Sequence, residues 1–217
     1  MKVGSFEQLL KPTGFVLFKG RGEGFTKIYY ALKQEASDTN YCLNVIPNEF
    51  CISALIKQGA DCCRKKYGQN SAHWTSIFKN DQSAFETKVK QYRLRYLFRK
   101  DEIEEWVKGR YGDFLMGPIP SNLRREQIEY MIQLLNKHNN LEIGFTEEPV
   151  EIYFAVSSKG IVLALRGDKP CAIWAMASIN KNMIEAFQNE FERMWQGAIK
   201  NKQEVINFLN SQIGHIA

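Results

Sequence analysis

Apolar residues fall in short runs and stripes along this chain, and turn residues between them mark the boundaries. Gly14 to Phe18 (Gly-Phe-Val-Leu-Phe) is a continuous apolar run that predicts a buried strand. The turn Gly20-Arg-Gly-Glu-Gly24 follows, and Phe25 to Ala36 reads as a helix with Ile28, Tyr29 and Leu32 on one side. Tyr41 to Ile46 predicts a second strand, ended by Pro47. A second helix is expected from about Glu49 to Lys66, where Phe50, Ala54, Leu55 and Ile56 make an apolar side. This strand–helix–strand–helix opening predicts a parallel sheet. The polar stretch Tyr67 to Gln82 shows no clear period and reads as a loop.

Farther along, Gln91 to Phe98 alternates as a strand does. Asp101 is placed to cap a short helix carrying Ile103, Trp106 and Val107. Gly112 to Pro120 is rich in turn residues. Ser121 precedes a helix from Arg124 to Lys137 whose core face is Ile128, Met131, Ile132 and Leu135. Four strands are then expected in succession: Leu141 to Phe145, Val150 to Val156, Gly160 to Leu165 and Ala172 to Ala177. Tight turns at Ser158-Lys-Gly160 and Gly167-Asp-Lys-Pro170 separate the last three. Asn180 can cap a long amphipathic helix bearing Ile184, Phe187, Phe191, Met194 and Trp195, and a last helix from about Lys202 to Ser211 ends near Gly214. Together these elements predict an α/β protein with a mixed, largely parallel central sheet flanked by helices, closing on a C-terminal hairpin and a long helix. A length of 217 residues suits one domain covering 1–217.

Composition narrows the classes. Hydrophobic residues make up 44%, enough for a sizeable core, yet no stretch approaches a membrane span. Met1 to Leu10 lacks the pattern of a signal peptide, so the expected compartment is the cytoplasm and no membrane partner is expected. The five cysteines (42, 51, 62, 63 and 171) are odd in number and form no CxxC pair, which argues for free thiols over disulfides or zinc. No cofactor is implied. The net charge of +5 is spread through mixed-sign segments, the pattern of a solvated surface rather than of one nucleic-acid-binding arm.

Candidate chemistry is sparse. The glycine-rich turn stands where phosphate loops stand, between a strand and a helix, but it is neither GxGxxG nor a P-loop, and Glu23 would repel a phosphate. None of His73, His138 and His215 lies two residues before a lysine, and no GxSxG elbow is present. Arg93, Arg95 and Arg99 cluster around one strand. Strand periodicity would put Arg93 and Arg95 on one face, where they must be exposed or must meet acids; a bound anion, a sugar or Glu151 could serve.

The run from Val150 (Val-Glu-Ile-Tyr-Phe-Ala-Val) through Gly160-Ile-Val-Leu-Ala-Leu165 to Met183 and Phe191-Glu-Arg-Met-Trp195 resembles the tail of phospholipase D-like domains. In particular it resembles the sensing domain of the TrmB family of sugar-responsive transcriptional regulators. Phe18-Lys-Gly-Arg-Gly-Glu-Gly-Phe25 is similar to that domain's first strand, turn and helix. Two departures follow. Catalytic phospholipase D domains need HxKxxxxD, and the matching strand here carries Glu151 near the histidine position and Tyr153 near the lysine. A carboxylate repels a phosphodiester, and a phenol is not a cation at neutral pH. Second, the TrmB-type regulators carry a DNA-reading winged helix for which the start of this chain leaves no room.

The resemblance therefore implies a catalytically inactive homologue: a ligand-sensing or interaction domain that takes a small molecule such as a sugar or an anion. Its site is expected at the C-terminal ends of the parallel strands. Candidate ligand residues are Arg21, Glu23, Glu151 and Tyr153, with Arg93 and Arg95. A separately encoded DNA-binding protein and a second copy of the chain are the candidate partners. The alternative is a phosphodiesterase or nuclease with a non-standard site, supported by fold analogy and the basic balance.

Overall fold

The computed structural model describes residues 6–10, 14–19, 23–36, 38–43, 50, 60–61, 64–65, 70–110, 119–150, 152–166 and 172–216. Seven strands form one mixed sheet: β1 (Phe15–Lys19), β2 (Thr39–Leu43), β3 (Leu94–Arg99), β4 (Leu141–Thr146), β5 (Ile152–Ser157), β6 (Gly160–Arg166) and β7 (Ala172–Ser178). Their spatial order is β1-β7-β6-β5-β2-β3-β4. β2, β3 and β4 pair in parallel, while the remaining neighbours pair antiparallel. Following these pairings, β1, β2, β3, β4 and β6 all run one way and β5 and β7 run back. β1 and β2 point the same way but do not form the parallel pair that the opening pattern predicts. They are not neighbours, because the β5–β6–β7 meander stands between them and β1 bonds to the last strand.

The helices are α1 (Phe6–Leu10), α2 (Glu23–Glu35), α3 (Ser71–Lys88), α4 (Lys100–Val107), α5 (Ser121–Lys137), α6 (Lys181–Gly197) and α7 (Lys202–Ile213). α3 replaces the expected loop over 67–82. Asn70 caps it, its side-chain oxygen accepting the His73 N–H at 2.8 Å. Phe78, Phe85 and Val89, seven and four residues apart, then bury on one side. Of the helix expected from Glu49 to Lys66, residues 60–61 and 64–65 are helical, and most of the remainder lies outside the described residues.

Three boundaries also differ from expectation. β3 begins at Leu94, because Gln91 and Tyr92 turn back to the Lys88 carbonyl, so Arg93 precedes the strand. Asp101 sits inside the first turn of α4, whose cap residue is Arg99; its carboxylate still accepts the Glu102 N–H at 2.9 Å. Pro120 rather than Ser121 is the cap residue of α5, as suits a proline at a helix start.

Two cores cover the two faces of the sheet. Ile28, Leu32, Tyr96, Phe98, Ile128, Met131, Phe145 and Leu209 belong to the larger, which packs α2, α4, α5 and α7 on one face. Within it Tyr41 and Tyr96 stack at 4.4 Å between ring centroids, and Phe50 meets Tyr96 edge-on. The other face is packed by α6 through Ile184, Phe191, Met194 and Trp195 against Cys42, Leu97, Phe154 and Leu163. Each of these large side chains contributes about 1.5–3 kcal/mol of burial. Gly144 makes room for this packing: a Cβ there would lie 2.9 Å from Trp195 Cζ3. Phe15 and Leu17, on the α6 face of the outermost strand, remain 51% and 56% exposed. Among the described residues no helix is long and apolar enough to cross a membrane.

Candidate functional site

The C-terminal edge of the sheet is where β2 ends at Leu43, β3 at Arg99 and β4 at Thr146. β5 enters at the same edge, since Cys42 faces Phe154 across the antiparallel pair. β1 also ends here and leads into α2. Parallel strands gather their loops and helix starts at this end, which is why open α/β sheets bind ligands there.

At its centre lies a polar cluster in which Glu102 and Tyr153 are buried, Arg99 is half-buried and Asp101 is exposed. β3 runs straight into α4, so Arg99, Asp101 and Glu102 are held at the helix start, where carboxylates complement the helix dipole. The Arg99 guanidinium donates to both Asp101 oxygens, Nε at 2.9 Å, and its Nη1 stands 3.6 Å from Glu102 Oε1. From β5, fifty-one residues away in sequence, the Tyr153 hydroxyl donates to the same Glu102 Oε1 at 3.4 Å. Glu102 and Tyr153 are each 4% exposed. A carboxylate taken from water requires such partners, because an unpaired buried charge costs several kcal/mol. Beside this cluster Lys100 pairs with Glu147 at 3.2 Å, and Thr146 Oγ1 accepts the Glu148 N–H at 3.1 Å. An arginine fork, a carboxylate and a phenol are groups that hold hydroxyls or anions by hydrogen bonds, but here they are engaged with one another, so a ligand would have to exchange for these partners.

Of the six residues singled out in the sequence, four are described by the structure and they separate into two pairs. Tyr153 stands in the cluster, and Glu23 begins α2 immediately beyond the same edge. Arg21 and Glu151 lie outside the described residues. Arg93 and Arg95 are elsewhere. Arg95 lies four residues before Arg99 on β3, about 13 Å along the strand. Its donors are taken: Nε by Asn40 Oδ1 at 2.8 Å, and Nη1 and Nη2 by the two oxygens of Glu192 on α6. Its guanidinium carbon sits 4.9 Å from the Phe191 ring centroid and 5.6 Å from that of Trp195. The exposed Arg93 is matched by Glu142 of β4, which holds its pKa above the ordinary value by hydrogen bonding. The acids that strand periodicity demanded are therefore Glu142 and Glu192, and Arg93 and Arg95 do not join Tyr153.

Sequence reasoning had only Tyr153 of this cluster as a candidate ligand residue; it read Arg99 as one of a group of arginines and Asp101 as a helix cap, and it missed Glu102 altogether. Glu102 sits in a visible Asp101-Glu102 pair at a helix start, but nothing local says that it turns inward to a tyrosine of another strand. Burial pushes the Cys42 thiol up to about 12, with Glu190 and Glu102 nearby adding to the effect, so it is inert as a nucleophile. Among the described residues, no group of three or more His, Cys, Asp or Glu side chains is arranged to hold a metal ion. The cluster holds no histidine.

No family model matches the sequence, and no curated protein matches it. The fold does have a counterpart among solved structures: TrmBL2, described as an archaeal chromatin protein showing a novel mode of DNA binding. The two superpose with a TM-score of 0.50 at 10% identity, over 90% of this chain and 58% of that one. The chain thus has a distant TrmB-like fold and spans 58% of its counterpart's length.

Proposed function

We propose that this chain is a non-catalytic sensing or interaction domain of the kind that serves transcriptional regulators, a phospholipase D-like sheet that has lost its chemistry and kept a binding edge. It takes a small hydroxyl-bearing or anionic ligand, a sugar or a phosphate-like anion, at the C-terminal edge of the parallel strands. The observation that carries this is the Arg99–Glu102–Tyr153 cluster, a set of directional donors and acceptors without the histidine that phospholipase D chemistry uses. The likeness to TrmBL2 adds the regulatory setting. Glu23, at the start of α2, and Arg21 and Glu151, which are chosen from the sequence alone, are the further candidate ligand residues. The domain comprises the whole of residues 1–217, acts in the cytoplasm, and passes its signal to a separately encoded DNA-binding protein or to a second copy of itself.

The test is a thermal-shift screen across sugars, nucleotides and inorganic phosphates. A ligand that binds the native state raises the melting temperature with concentration, by about 2.7 kcal/mol of stability at a hundredfold excess over Kd. Glu102→Gln and Tyr153→Phe should remove the ligand-dependent part of the shift. A screen with no hit, or a hit whose shift is unchanged in both variants, removes the site from consideration.

A further inference from the structure

The two edges of the sheet are finished differently. At the β4 edge the segment after α6 crosses over: Phe145 and Ile199 exchange both backbone hydrogen bonds at 2.9 Å, and Glu142 of β4 holds Arg93. At the other edge β1 pairs with β7 on one side only. Its residues, Phe-Val-Leu-Phe-Lys, include no acid and one cation, Lys19, at the end. Phe15 and Leu17 are the most exposed large apolar side chains among the described residues.

The backbone of β1 opens outward at the same residues. Ile179 N–H donates to the Gly14 carbonyl at 3.0 Å, so Gly14 and Ile179 form a bonded couple. In an antiparallel pair bonded couples recur at every second residue, which makes Val16–Ala177 and Phe18–Ala175 the next two. The N–H and carbonyl groups of Phe15, Leu17 and Lys19 therefore point away from β7. Among the described residues, none hydrogen-bonds to the Leu17 backbone. Nor does α6 shield this strip, since it lies chiefly over β2, β4, β5 and β6. Met176 of β7, opposite Leu17 in the register, is left half-buried.

We propose that β1 is a homodimer interface, at which two copies of the chain join antiparallel about a two-fold axis through Leu17 and extend one sheet across both. An axis there places Leu17 opposite Leu17, Phe15 opposite Lys19 and Val16 opposite Phe18. Residues whose backbone groups point outward then face one another, as a bonded antiparallel ladder requires. The exposed leucines meet on the axis, and the strand's one cation meets an aromatic residue rather than its own copy, so no like charges are opposed. The covered β4 edge offers no second open strand, so association stops at two instead of running on as a fibre. The contact is short: five residues at about 3.4 Å span about 17 Å, which buries well under the ~800 Å² per partner of a standard interface. Association in the micromolar range follows. This gives the second copy named above a place on the fold. It rests on the β1 edge and not on the Arg99–Glu102–Tyr153 cluster, and its test reads mass rather than ligand.

The test is sedimentation equilibrium of the full chain over about 1–200 µM. The expected result is an average mass that rises with concentration from that of one chain toward that of two. Leu17→Lys sets two like charges against each other on the axis and should weaken association at least about tenfold, as should Leu17→Glu. Mixed in equal amounts, the two variants should associate again, because the axis pairs position 17 with itself; that recovery also shows both variants to be folded. Tyr92→Lys, at an exposed aromatic away from β1, should change nothing. A chain that stays monomeric over the whole range leaves the edge to another partner and overturns the proposal. So do association that is unchanged in Leu17→Lys and variants that do not recover on mixing.

Discussion

Replacing Arg95 separates a structural role from a ligand-binding one. Its side chain is 10% exposed and is held by Asn40, both oxygens of Glu192, and the rings of Phe191 and Trp195. Arg95→Ala removes three contributions. The ion pair alone would be worth about 1.5–3 kcal/mol as charged hydrogen bonds. The Glu192 side chain is 48% exposed, however, so water takes over after the change and about 1–1.5 kcal/mol remains. Stacking on two rings in a largely dry site adds about 1–2 kcal/mol. The aliphatic stem adds about 1 kcal/mol. The expected loss is about 3–4.5 kcal/mol, or about 6–18 °C in a chain of this length. Arg95→Met keeps the stem and some contact with the rings, so it should cost about half as much.

Urea unfolding followed by tryptophan fluorescence measures both, and a double-mutant cycle with Glu192→Gln should return a coupling of about 1 kcal/mol. If Arg95→Ala lies within about 0.5 kcal/mol of the parent, or if Met is as harmful as Ala, the packing account is wrong. Arg95 would then again be a candidate for contacting an external anion.

Trp195→Ala should cost about 3–5 kcal/mol in the same assay, because it empties the space between α6 and Gly144; a loss under 1 kcal/mol would mean that α6 does not pack there. The hydrogen bond from Arg95 holds the Glu192 carboxyl below its ordinary range. A lowered folded-state pKa stabilises the protein above the unfolded value and loses that effect as pH falls through the folded one. The stability gap between parent and Glu192→Gln should therefore be full at pH 6 and shrink as pH drops below about 4.3; a pH-independent gap would contradict this. Cys42 should resist labelling by a maleimide in native protein and react on unfolding, read by mass spectrometry of the Cys42 peptide.

How much of this was visible in the sequence depended on how local the cause is. The strands after Leu141 declared themselves through apolar runs separated by turn residues, and α6 through Ile184, Phe187, Phe191 and Trp195 behind the Asn180 cap. α3 was hidden because Phe78, Phe85 and Val89 are diluted by Lys, Asn, Asp and Gln; Asn70 and the seven-then-four spacing were its signals. The pairing of β1 with β7 joins the two ends of the chain, and no short-range pattern encodes it. The site followed the same rule. Strand alternation required partners for the arginines, but Glu192 lies ninety-seven residues from Arg95, and Glu102 fifty-one from Tyr153.

The most direct test is turnover. Purified protein is assayed against bis-p-nitrophenyl phosphate, single-stranded DNA and a phospholipid, with and without divalent metal. The proposed binding edge of Arg99, Glu102 and Tyr153 lacks the histidine nucleophile of phospholipase D chemistry, and removing such a group from an active enzyme commonly costs about 10⁴-fold or more. The predicted result is hydrolysis no faster than the uncatalysed background in every condition. Activity that copurifies with the chain and disappears in Glu151→Ala or Glu102→Gln would contradict the account and make this rim an active site.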